Sequence, residues 1–278
     1  FYQYYASMME PWDGPASILF SDGDVMGAVL DRNGLRPSRY YITNDGFLIL
    51  SSEVGVLEVP EEKIVLKERL HPGKMLLVNT VQGKVLNDEE VKEYYAKKQP
   101  YGEWLDSYLV QLKDIKIPNL PVEEYTKEER MRLQKAFGYA YEEYRSSIGK
   151  MALNGVEATA SMGIDTPLAV LSHEHQPLFN YFKQLFAQVT NPPIDCIREE
   201  IVTSTSVYVG RDGNLLEEEP KNCQVLKINN PILTNTDMLK IKNMKVEGFK
   251  AVTVPITYYK SAPLDRAMDR LFVEVDRA

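Results

Sequence analysis

The sequence predicts a mixed fold, α/β and α+β, in which an antiparallel sheet precedes a region of alternating helices and strands. Over residues 16–59, short apolar runs are separated by Asp-Gly and Asn-Gly pairs, which is typical of strands joined by tight turns. From residue 126 onward, runs with helical spacing alternate with short apolar runs, which indicates α/β packing. A length of 278 residues accommodates one large domain or two ordinary ones.

The first half contains the strand signals. Strands are predicted at 16–20, 26–30, 40–43, 47–51, 65–70, 74–79 and 84–86. The glycine turns between the first four favour an antiparallel meander, and Gln82-Gly83 favours a hairpin between the last two. Asn87, followed by three acidic residues, predicts a helix start, and a second helix is predicted over 101–112.

The second half begins after a connector. Residues 113–125 contain Pro118, Pro121 and an acidic pair, so we place the domain boundary there, with predicted domains at 1–112 and 126–278. Thr126 opens a capping-box pattern. Beyond it the predicted helices are 128–137, 142–153, 179–188, 194–201, 238–241 and 264–273, and the predicted strands are 168–171, 206–209, 225–228 and 252–258.

Composition excludes several classes of protein. The formal net charge of −8 argues against nonspecific binding to nucleic acid or to an anionic membrane surface. No apolar run reaches the length of a membrane span, and no signal-peptide pattern opens the chain, so we expect a cytoplasmic protein. Cys196 and Cys223 lie far apart, which predicts reduced thiols and no metal or cofactor site in this chain. The aromatic start and the helical end indicate a piece of a longer protein.

The most informative stretch is the polar turn at 31–37, which reads Asp-Arg-Asn-Gly-Leu-Arg-Pro. Asn33 and Gly34 tolerate positive φ and stand between two apolar runs, which is a strong turn signal. Pro37 fixes φ and cannot donate to a ladder, so it marks where the return strand begins. The residues alone therefore predict a reversal in a β-rich region.

The same residues carry a resemblance. The turn, followed by Ser-Ser-Glu at 51–53, resembles the Arg-Asp-Pro-x-Gly-x-Arg-Pro … Ala-Ser-Glu signature of N-terminal-nucleophile glutamine amidotransferases. Glu-Pro-Trp-Asp-Gly-Pro-Ala at 10–16 narrows the resemblance to the large subunit of glutamate synthases. Residues 161–172 and 188–199 are similar to the central domain of that family. Together these stretches cover nearly the whole chain in the family's order.

The resemblance implies a fold and a reaction. The fold would be the antiparallel sheet portion of an αββα amidotransferase domain, followed by an α/β central domain. The complete enzyme would convert glutamine and 2-oxoglutarate, with reductant, into two glutamates. It would use FMN and an iron–sulfur cluster located outside this chain, with a small NAD(P)H-oxidising subunit or ferredoxin as electron donor. The chain's partners would be the remaining domains of the same polypeptide.

The resemblance places no catalytic residue in this chain. Amidotransferase chemistry needs an N-terminal cysteine whose α-amine acts as base, and position 1 is Phe. We interpret Asn33-Gly34 as a structural turn and not as an oxyanion pair, because the residues around it match the later turn motif. Asp31, Arg32 and Arg36 are expected to pair within the turn or to support the rest of the site. The predicted structural motif of the amidotransferase fold comprises Asp31, Asn33, Gly34, Arg36, Pro37 and Glu53.

The segment 190–195, Thr-Asn-Pro-Pro-Ile-Asp, is predicted to be a rigid loop. Two successive prolines remove two backbone donors and bias Asn191 away from the helical region. The resemblance implies a position on an internal channel that carries ammonia to the flavin site. Candidates for its lining are Met162, Thr190 and Asn191. A rigid linker with no transport role stays open as the alternative.

A second hypothesis belongs to another class of protein. The chain would be a stand-alone, noncatalytic binding or scaffold module built from the same half-domains. The sheet discriminates between the two hypotheses. In a piece of a longer enzyme, strands 16–20 and 47–51 would leave apolar faces open until further chain covered them. Amidophosphoribosyltransferases share the Asn-Gly-x-Arg-Pro turn, but no phosphoribosyl-pyrophosphate loop follows it here.

Overall fold

The computed structural model describes residues 1–159, 167–174, 176–182 and 193–278. The chain divides into two compact units. One comprises Phe1–Pro118 together with Cys196–Ala278, and the other comprises Asn119–Asp195. The first unit therefore combines residues from both sides of the predicted connector.

The strands of the described residues all lie in the first unit. They are, in chain order, β1 (Ser17–Ser21), β2 (Val25–Leu30), β3 (Arg39–Thr43), β4 (Leu48–Ser51), β5 (Ile64–Arg69), β6 (Met75–Asn79), β7 (Lys84–Leu86), β8 (Val110–Gln111), β9 (Val207–Gly210) and β10 (Val225–Ile228). Strands β1 to β7 form two antiparallel sheets, ordered β1-β2-β6-β7 and β4-β3-β5. In the third sheet, β10 lies between β8, which is parallel to it, and β9, which is antiparallel. The predicted mixed fold with antiparallel sheets is confirmed.

The predicted strands of the first half are confirmed, but the meander is wrong. Strand β2 pairs with β6 and not with β3, so the turn at Asn33-Gly34 connects two sheets instead of closing a hairpin. Turn chemistry specifies where a chain reverses, whereas pairing follows the burial of apolar faces. The buried faces here form one cluster, with residues from both sheets: Ala28, Leu30, Leu70 and Leu76, with Tyr40, Leu48 and Leu50 packed against them.

Two of the described helices begin where the sequence predicts a capping signal. The described helices are α1 (Tyr2–Ala6), α2 (Asp88–Lys97), α3 (Tyr101–Tyr108), α4 (Lys127–Ala136), α5 (Gly149–Asn154), α6 (Cys196–Val202), α7 (Asn235–Lys242) and α8 (Leu264–Arg277). Asn87 and Thr126 each form a capping box with the Glu three residues later. These reciprocal bonds satisfy N–H groups that the first turn of a helix leaves unpaired.

The regular structure described in the second unit is helical. A π-helix, Glu143–Ile148, runs directly into α5, which ends at Gly155 in the left-handed conformation (φ +64). Glycine adopts this conformation without steric cost, and it closes many helices in this way. The predicted helix over 142–153 is therefore confirmed, and Gly155 ends it.

Three other predictions differ from the structure. Helix α3 ends at Tyr108 because Val110 and Gln111 pair with β10 instead. The predicted strand over 168–171 contains the 3₁₀ turn Ala169–Leu171. The predicted strand over 252–258 has no regular structure, and Ile256 in it is exposed. An apolar run predicts a strand only if a neighbouring strand is available to pair with it.

The third sheet has its own core. Leu112, Leu226 and Ile228 are buried together, and the partly buried residues around them are Val110, Ile115, Leu233, Ile241 and Phe249. Strand β8 lies directly before the predicted connector in sequence. Strands β9 and β10 both begin within about a hundred residues after the connector ends. The described structure thus joins the two halves of the sequence in one sheet.

Candidate functional site

The Asp31 carboxylate organises the turn that the sequence singles out. It accepts backbone N–H bonds from Ala16 (3.2 Å), Asn33 (3.0 Å) and Gly34 (3.1 Å). Burial alone would raise the pKa of Asp31, but these bonds and one from Leu35 outweigh it and hold that pKa below 3.8. The charged carboxylate therefore fixes the path of the turn. The prediction that Asp31 pairs within the turn agrees with this geometry.

Gly34 is required by both conformation and space. Its φ is +61, and a Cβ at this position would lie 2.7 Å from Cγ and 3.0 Å from Cα of Pro72. The Asp31 carbonyl also accepts a bond from the N–H of Gly73 (2.9 Å). The turn therefore lies against the His71-Pro72-Gly73 turn that leads into β6. Two loops distant in sequence are packed as one structure.

Asp13 forms a second connection to the turn. Its carboxylate accepts two bonds from the Arg32 guanidinium, at 3.0 and 3.3 Å, and lies 3.6 Å from Arg198 of α6. The Asp13 side chain is only 11% exposed. A bidentate, partly buried pair of this kind fixes orientation as well as charge. Arg32, expected to pair within the turn or to support the site, thus links it to the Pro-Trp-Asp-Gly segment.

The other predicted motif residues lie on the surface. Asn33, Arg36, Pro37 and Glu53 are exposed. Neither the Arg36 nor the Glu53 side chain makes a hydrogen bond or ion pair with any residue that the structure describes. The channel candidates Met162, Thr190 and Asn191 lie outside the described residues, so their role stays a prediction.

The structure also contains a site that sequence reasoning missed, centred on Glu218. One carboxylate oxygen accepts the hydroxyls of Tyr5 (3.0 Å) and Tyr101 (3.1 Å), and the other lies 3.1 Å from the Lys98 ammonium. The Glu218 side chain is 19% exposed. Burial alone would raise the pKa of Glu218, but the bonds from Lys98, Tyr5 and Tyr101 outweigh it and hold that pKa below 4.5.

An aromatic cluster surrounds these bonds. Tyr4 is fully buried, Tyr101 is 2% exposed, and both pack on the buried Cys223. The Tyr4 hydroxyl donates to the Glu219 carbonyl at 2.7 Å. Burial, followed by the Glu218 hydrogen bond, raises the pKa of Tyr5 to about 12 and raises the pKa of Tyr101 as well. The hydroxyls therefore stay protonated and act as donors. We call this contact, between helices α1 and α3 and the loop 213–223, the Glu218 junction.

Little in the sequence predicts the Glu218 junction. Glu217, Glu218 and Glu219 form a short acidic run that is typical of a solvated surface. The one available signal was the aromatic run at 1–5, which is too apolar for a mobile end. Its partner lies more than 200 positions away, with 213 between Tyr5 and Glu218, so no local pattern could identify it.

Neither a metal site nor a membrane-spanning helix is present among the described residues. They contain no group of three or more His, Cys, Asp or Glu side chains that could hold a metal ion. Cys196 is exposed and Cys223 is buried, and burial raises the pKa of the Cys223 thiol. Among the described helices, none combines the length and the apolar character that crossing a bilayer requires.

Comparison with known proteins identifies two stretches of the chain. The model of class-II glutamine amidotransferases matches residues 1–104, and the model of the glutamate synthase central domain matches residues 132–278. The chain belongs to the glutamate synthase family. The two matched stretches meet at the Glu218 junction, since Tyr5, Lys98 and Tyr101 lie in the first stretch and Glu218 in the second.

Individual relatives agree with this assignment. The chain is 45% identical to the glutamate synthase [NADPH] large chain of Bacillus subtilis, over 100% of this chain and 18% of that protein. It is 47% identical to the chloroplastic ferredoxin-dependent glutamate synthase 2 of Arabidopsis thaliana, over 86% of this chain and 14% of that protein. It is 41% identical to the glutamate synthase [NADH] of Schizosaccharomyces pombe, over 100% of this chain and 14% of that protein. The chain thus spans less than a fifth of the length of these relatives.

Proposed function

We propose that this chain is the scaffold that joins the amidotransferase and synthase parts of a glutamate synthase. The complete polypeptide would convert glutamine and 2-oxoglutarate, with reductant, into two glutamates. The observation that carries the proposal is the Glu218 junction, where residues of the amidotransferase stretch bond directly to the central-domain stretch. A polypeptide that releases ammonia at one site and uses it at another needs its parts held in a fixed arrangement.

The chain contributes structure to this reaction and no nucleophile. An amidotransferase cysteine needs an accessible thiolate beside a base. The Cys223 thiol is buried, donates to the Pro220 carbonyl at 3.1 Å and has a raised pKa. Cys196 lies inside the chain at the start of α6, so its own α-amine is part of a peptide bond and cannot act as the base. We therefore place the catalytic cysteine in another part of the polypeptide.

The proposed domain organisation follows the sequence. Residues 1–112 would be the C-terminal portion of the amidotransferase domain, 113–125 the connector and 126–278 the first part of the central domain. Met162, Thr190 and Asn191 stay our candidates for the ammonia channel. Strand β1 supports a larger amidotransferase domain, because Leu19 is 61% exposed and its neighbours Ile18 and Phe20 are also exposed. Apolar patches of this kind are typical of surfaces that further protein covers.

The cofactors of the reaction would be FMN and an iron–sulfur cluster. Clusters of this kind are held by about four cysteine thiolates, and the chain has two cysteines, one of them buried. The residues of this chain therefore do not fit the cluster. The electron donor would be a small NAD(P)H-oxidising subunit or ferredoxin, and the location cytoplasmic.

The decisive experiment begins with the gene on both sides of this segment. A cysteine codon directly after the initiator or a short propeptide upstream, and a long α/β region with a cysteine cluster downstream, would support the proposal. The complete polypeptide should then form two glutamates per glutamine in the presence of 2-oxoglutarate and reductant. A matched Cys→Ala change at the upstream cysteine should abolish this use of glutamine. A start codon and a stop codon immediately flanking the segment would contradict the proposal and favour the stand-alone scaffold.

A further inference from the structure

We propose that Glu218 is a positioning residue that couples the release of ammonia to its use. Its carboxylate would hold the central-domain loop 213–223 against helices α1 and α3, and loss of that hold would let ammonia escape. This inference rests on the proposed function. It goes further by assigning the coupling to one side chain that makes no contact with substrate.

The geometry gives Glu218 a role that its neighbours cannot take over. Its two oxygens receive three donors from two separate parts of the amidotransferase stretch: the Tyr5 hydroxyl, the Tyr101 hydroxyl and the Lys98 ammonium. Hydrogen bonds to an ionised acceptor are about twice as strong as neutral ones. The adjacent Glu217 is exposed, and its side chain bonds to no residue that the structure describes.

The loop 213–223 is held in one conformation by its own hydrogen bonds, so fixing Glu218 also fixes the rest of the loop. The buried Asn222 side chain donates to the carbonyls of Asn214 (3.0 Å) and Glu217 (2.6 Å) and accepts the N–H of Asn214 (3.3 Å). These bonds close the loop on itself. A Cβ added to Gly213 would lie 2.5 Å from Sδ of Met8, so the loop also packs closely on the chain that follows α1. A rigid loop fixed at its middle by Glu218 positions both of its ends.

A glutamine at this position tests the charge and keeps the shape. The amide oxygen of Glu218→Gln can accept both tyrosine hydroxyls only if the amide N–H₂ faces the Lys98 ammonium. In the flipped orientation the N–H₂ faces the two hydroxyls instead. There the hydroxyls can accept from the N–H₂, but in both orientations the ionised acceptor and its ion pair with Lys98 are lost, so the substitution weakens the junction without creating a cavity. Glu217→Gln is the matched control, because it removes the same charge one residue away.

The first measurement is hydrogen–deuterium exchange on the complete polypeptide. In Glu218→Gln, we expect amide exchange to rise about tenfold or more in both α1 and 213–223, with strands β2 and β6 unchanged. Glu217→Gln should exchange like the wild type. Unchanged exchange at both segments in Glu218→Gln would overturn the proposal. This readout does not depend on enzymatic activity.

The second measurement is the fraction of glutamine-derived ammonia that escapes into solution during turnover. A purely structural role would lower glutamine use and glutamate formation together and leave this fraction constant. We expect the fraction to rise severalfold in Glu218→Gln and to stay at the wild-type value in Glu217→Gln. An unchanged fraction in a folded Glu218→Gln enzyme would contradict the coupling role. A wild-type polypeptide that forms no glutamate would refute the proposed function instead, and the exchange data would still decide on the junction.

Milder variants keep the proposal testable if Glu218→Gln does not fold. Tyr5→Phe and Tyr101→Phe each remove one donor and retain the packed ring. Each should raise the escaping fraction less than Glu218→Gln, and the double variant should raise it more than either. If the double variant keeps both exchange and coupling at wild-type values, the proposal is wrong.

Discussion

Asp31 and Glu218 are both carboxylates that collect several hydrogen-bond donors, yet the donors come from very different distances along the chain. Asp31 accepts backbone N–H groups at positions 2, 3 and 15 residues away. Glu218 accepts the hydroxyls of Tyr101 and Tyr5, which lie 117 and 213 residues away. The pKa of each carboxylate is held below its ordinary value. Asp31 therefore stabilises a local turn, whereas Glu218 joins the two stretches that match the family models.

The comparison shows that the effect of a carboxylate on the structure depends on where in the sequence its hydrogen-bond donors lie. Backbone donors within a turn are fixed by that turn, so Asp31 shapes its own neighbourhood. Side-chain donors on α1 and α3 reach Glu218 only when those helices are correctly placed, so the bonds of Glu218 depend on the tertiary structure. Changes at the turn should therefore act locally, whereas changes at the junction should affect segments distant in sequence.

The largest expected effect is at the turn. Gly34→Ala combines the left-handed strain of a Cβ with its collision against Pro72, including a backbone atom that cannot rotate away. Left-handed strain costs about 1–2 kcal/mol and overpacking about 1–3 kcal/mol. We therefore expect the local free energy of unfolding, measured by native-state hydrogen exchange in β2 and β6, to fall by about 2–5 kcal/mol.

Gly83→Ala provides the control for this prediction. Gly83 has the same φ of +61, but its added Cβ would meet nothing within 4 Å. Gly83→Ala should lower the local free energy of unfolding only by the cost of the left-handed strain, about 1–2 kcal/mol. Equal losses at the two glycines would show that the Pro72 contact does not stabilise the turn.

A smaller effect is expected when the loop of the junction is opened. Asn222→Ala removes two part-buried hydrogen bonds, from its side chain to the carbonyls of Asn214 and Glu217, and at about 0.5–1.5 kcal/mol each their loss costs about 1–3 kcal/mol. Amide exchange should rise in 213–223 and also in α1, although α1 is unaltered. Asn243→Ala removes an exposed bond to the Leu239 carbonyl and should have little effect. A rise confined to 213–223 would argue against a coupled junction.

The smallest effect is the response of the two sites to acid. A lowered folded pKa gives stability that is present above the unfolded value and is lost as pH falls below it. Glu218 should therefore begin to lose its contribution below about pH 4.5, and Asp31 only below about pH 3.8. Exchange measured from pH 6 downward should rise first in α1 and 213–223. Glu218→Gln should remove that early rise, and a simultaneous rise at both sites would contradict the prediction.

Of the two carboxylate sites, the Glu218 junction should respond to alkaline pH and the turn at Asp31 should not. The raised pKa of Tyr5 gives stability that is complete below pH 10 and is lost as pH approaches about 12. The charged groups that face this hydroxyl are Glu218 and, across the carboxylate, Lys98. A tyrosinate beside Glu218 would add like charges at a partly buried site. The turn at Asp31 contains no such hydroxyl and should not respond.

Local signals explain most of what the sequence predicts. The strands β1 to β7, the capping boxes at Asn87 and Thr126 and the glycine end of α5 all follow from residues within a few positions of each other. The role of Asp31 is equally local. The meander was wrong because a glycine turn does not specify which strands pair, and that choice depends on which apolar faces are buried together.

The missed site shows the other limit of sequence reasoning. Glu218 lies in an acidic run, and nothing within that run indicates that one of its carboxylates is largely buried. Strand β8 was missed for the same reason, since Val110 and Gln111 extend the apolar pattern of α3 until they pair with β10. Both features depend on partners more than a hundred residues away in the sequence, so only the folded chain brings them together.

The Glu218 junction has a consequence for the newly made chain. The aromatic residues Tyr4, Tyr5 and Tyr101 emerge from the ribosome long before their partner, since 117 positions separate Tyr101 from Glu218. At roughly 5–20 residues per second, this interval lasts roughly 6–23 seconds. During that time the aromatic surface is open to water and to other chains. Synthesis of this segment therefore creates a period of aggregation risk, in which chaperone binding to the residues around α1 would be most useful.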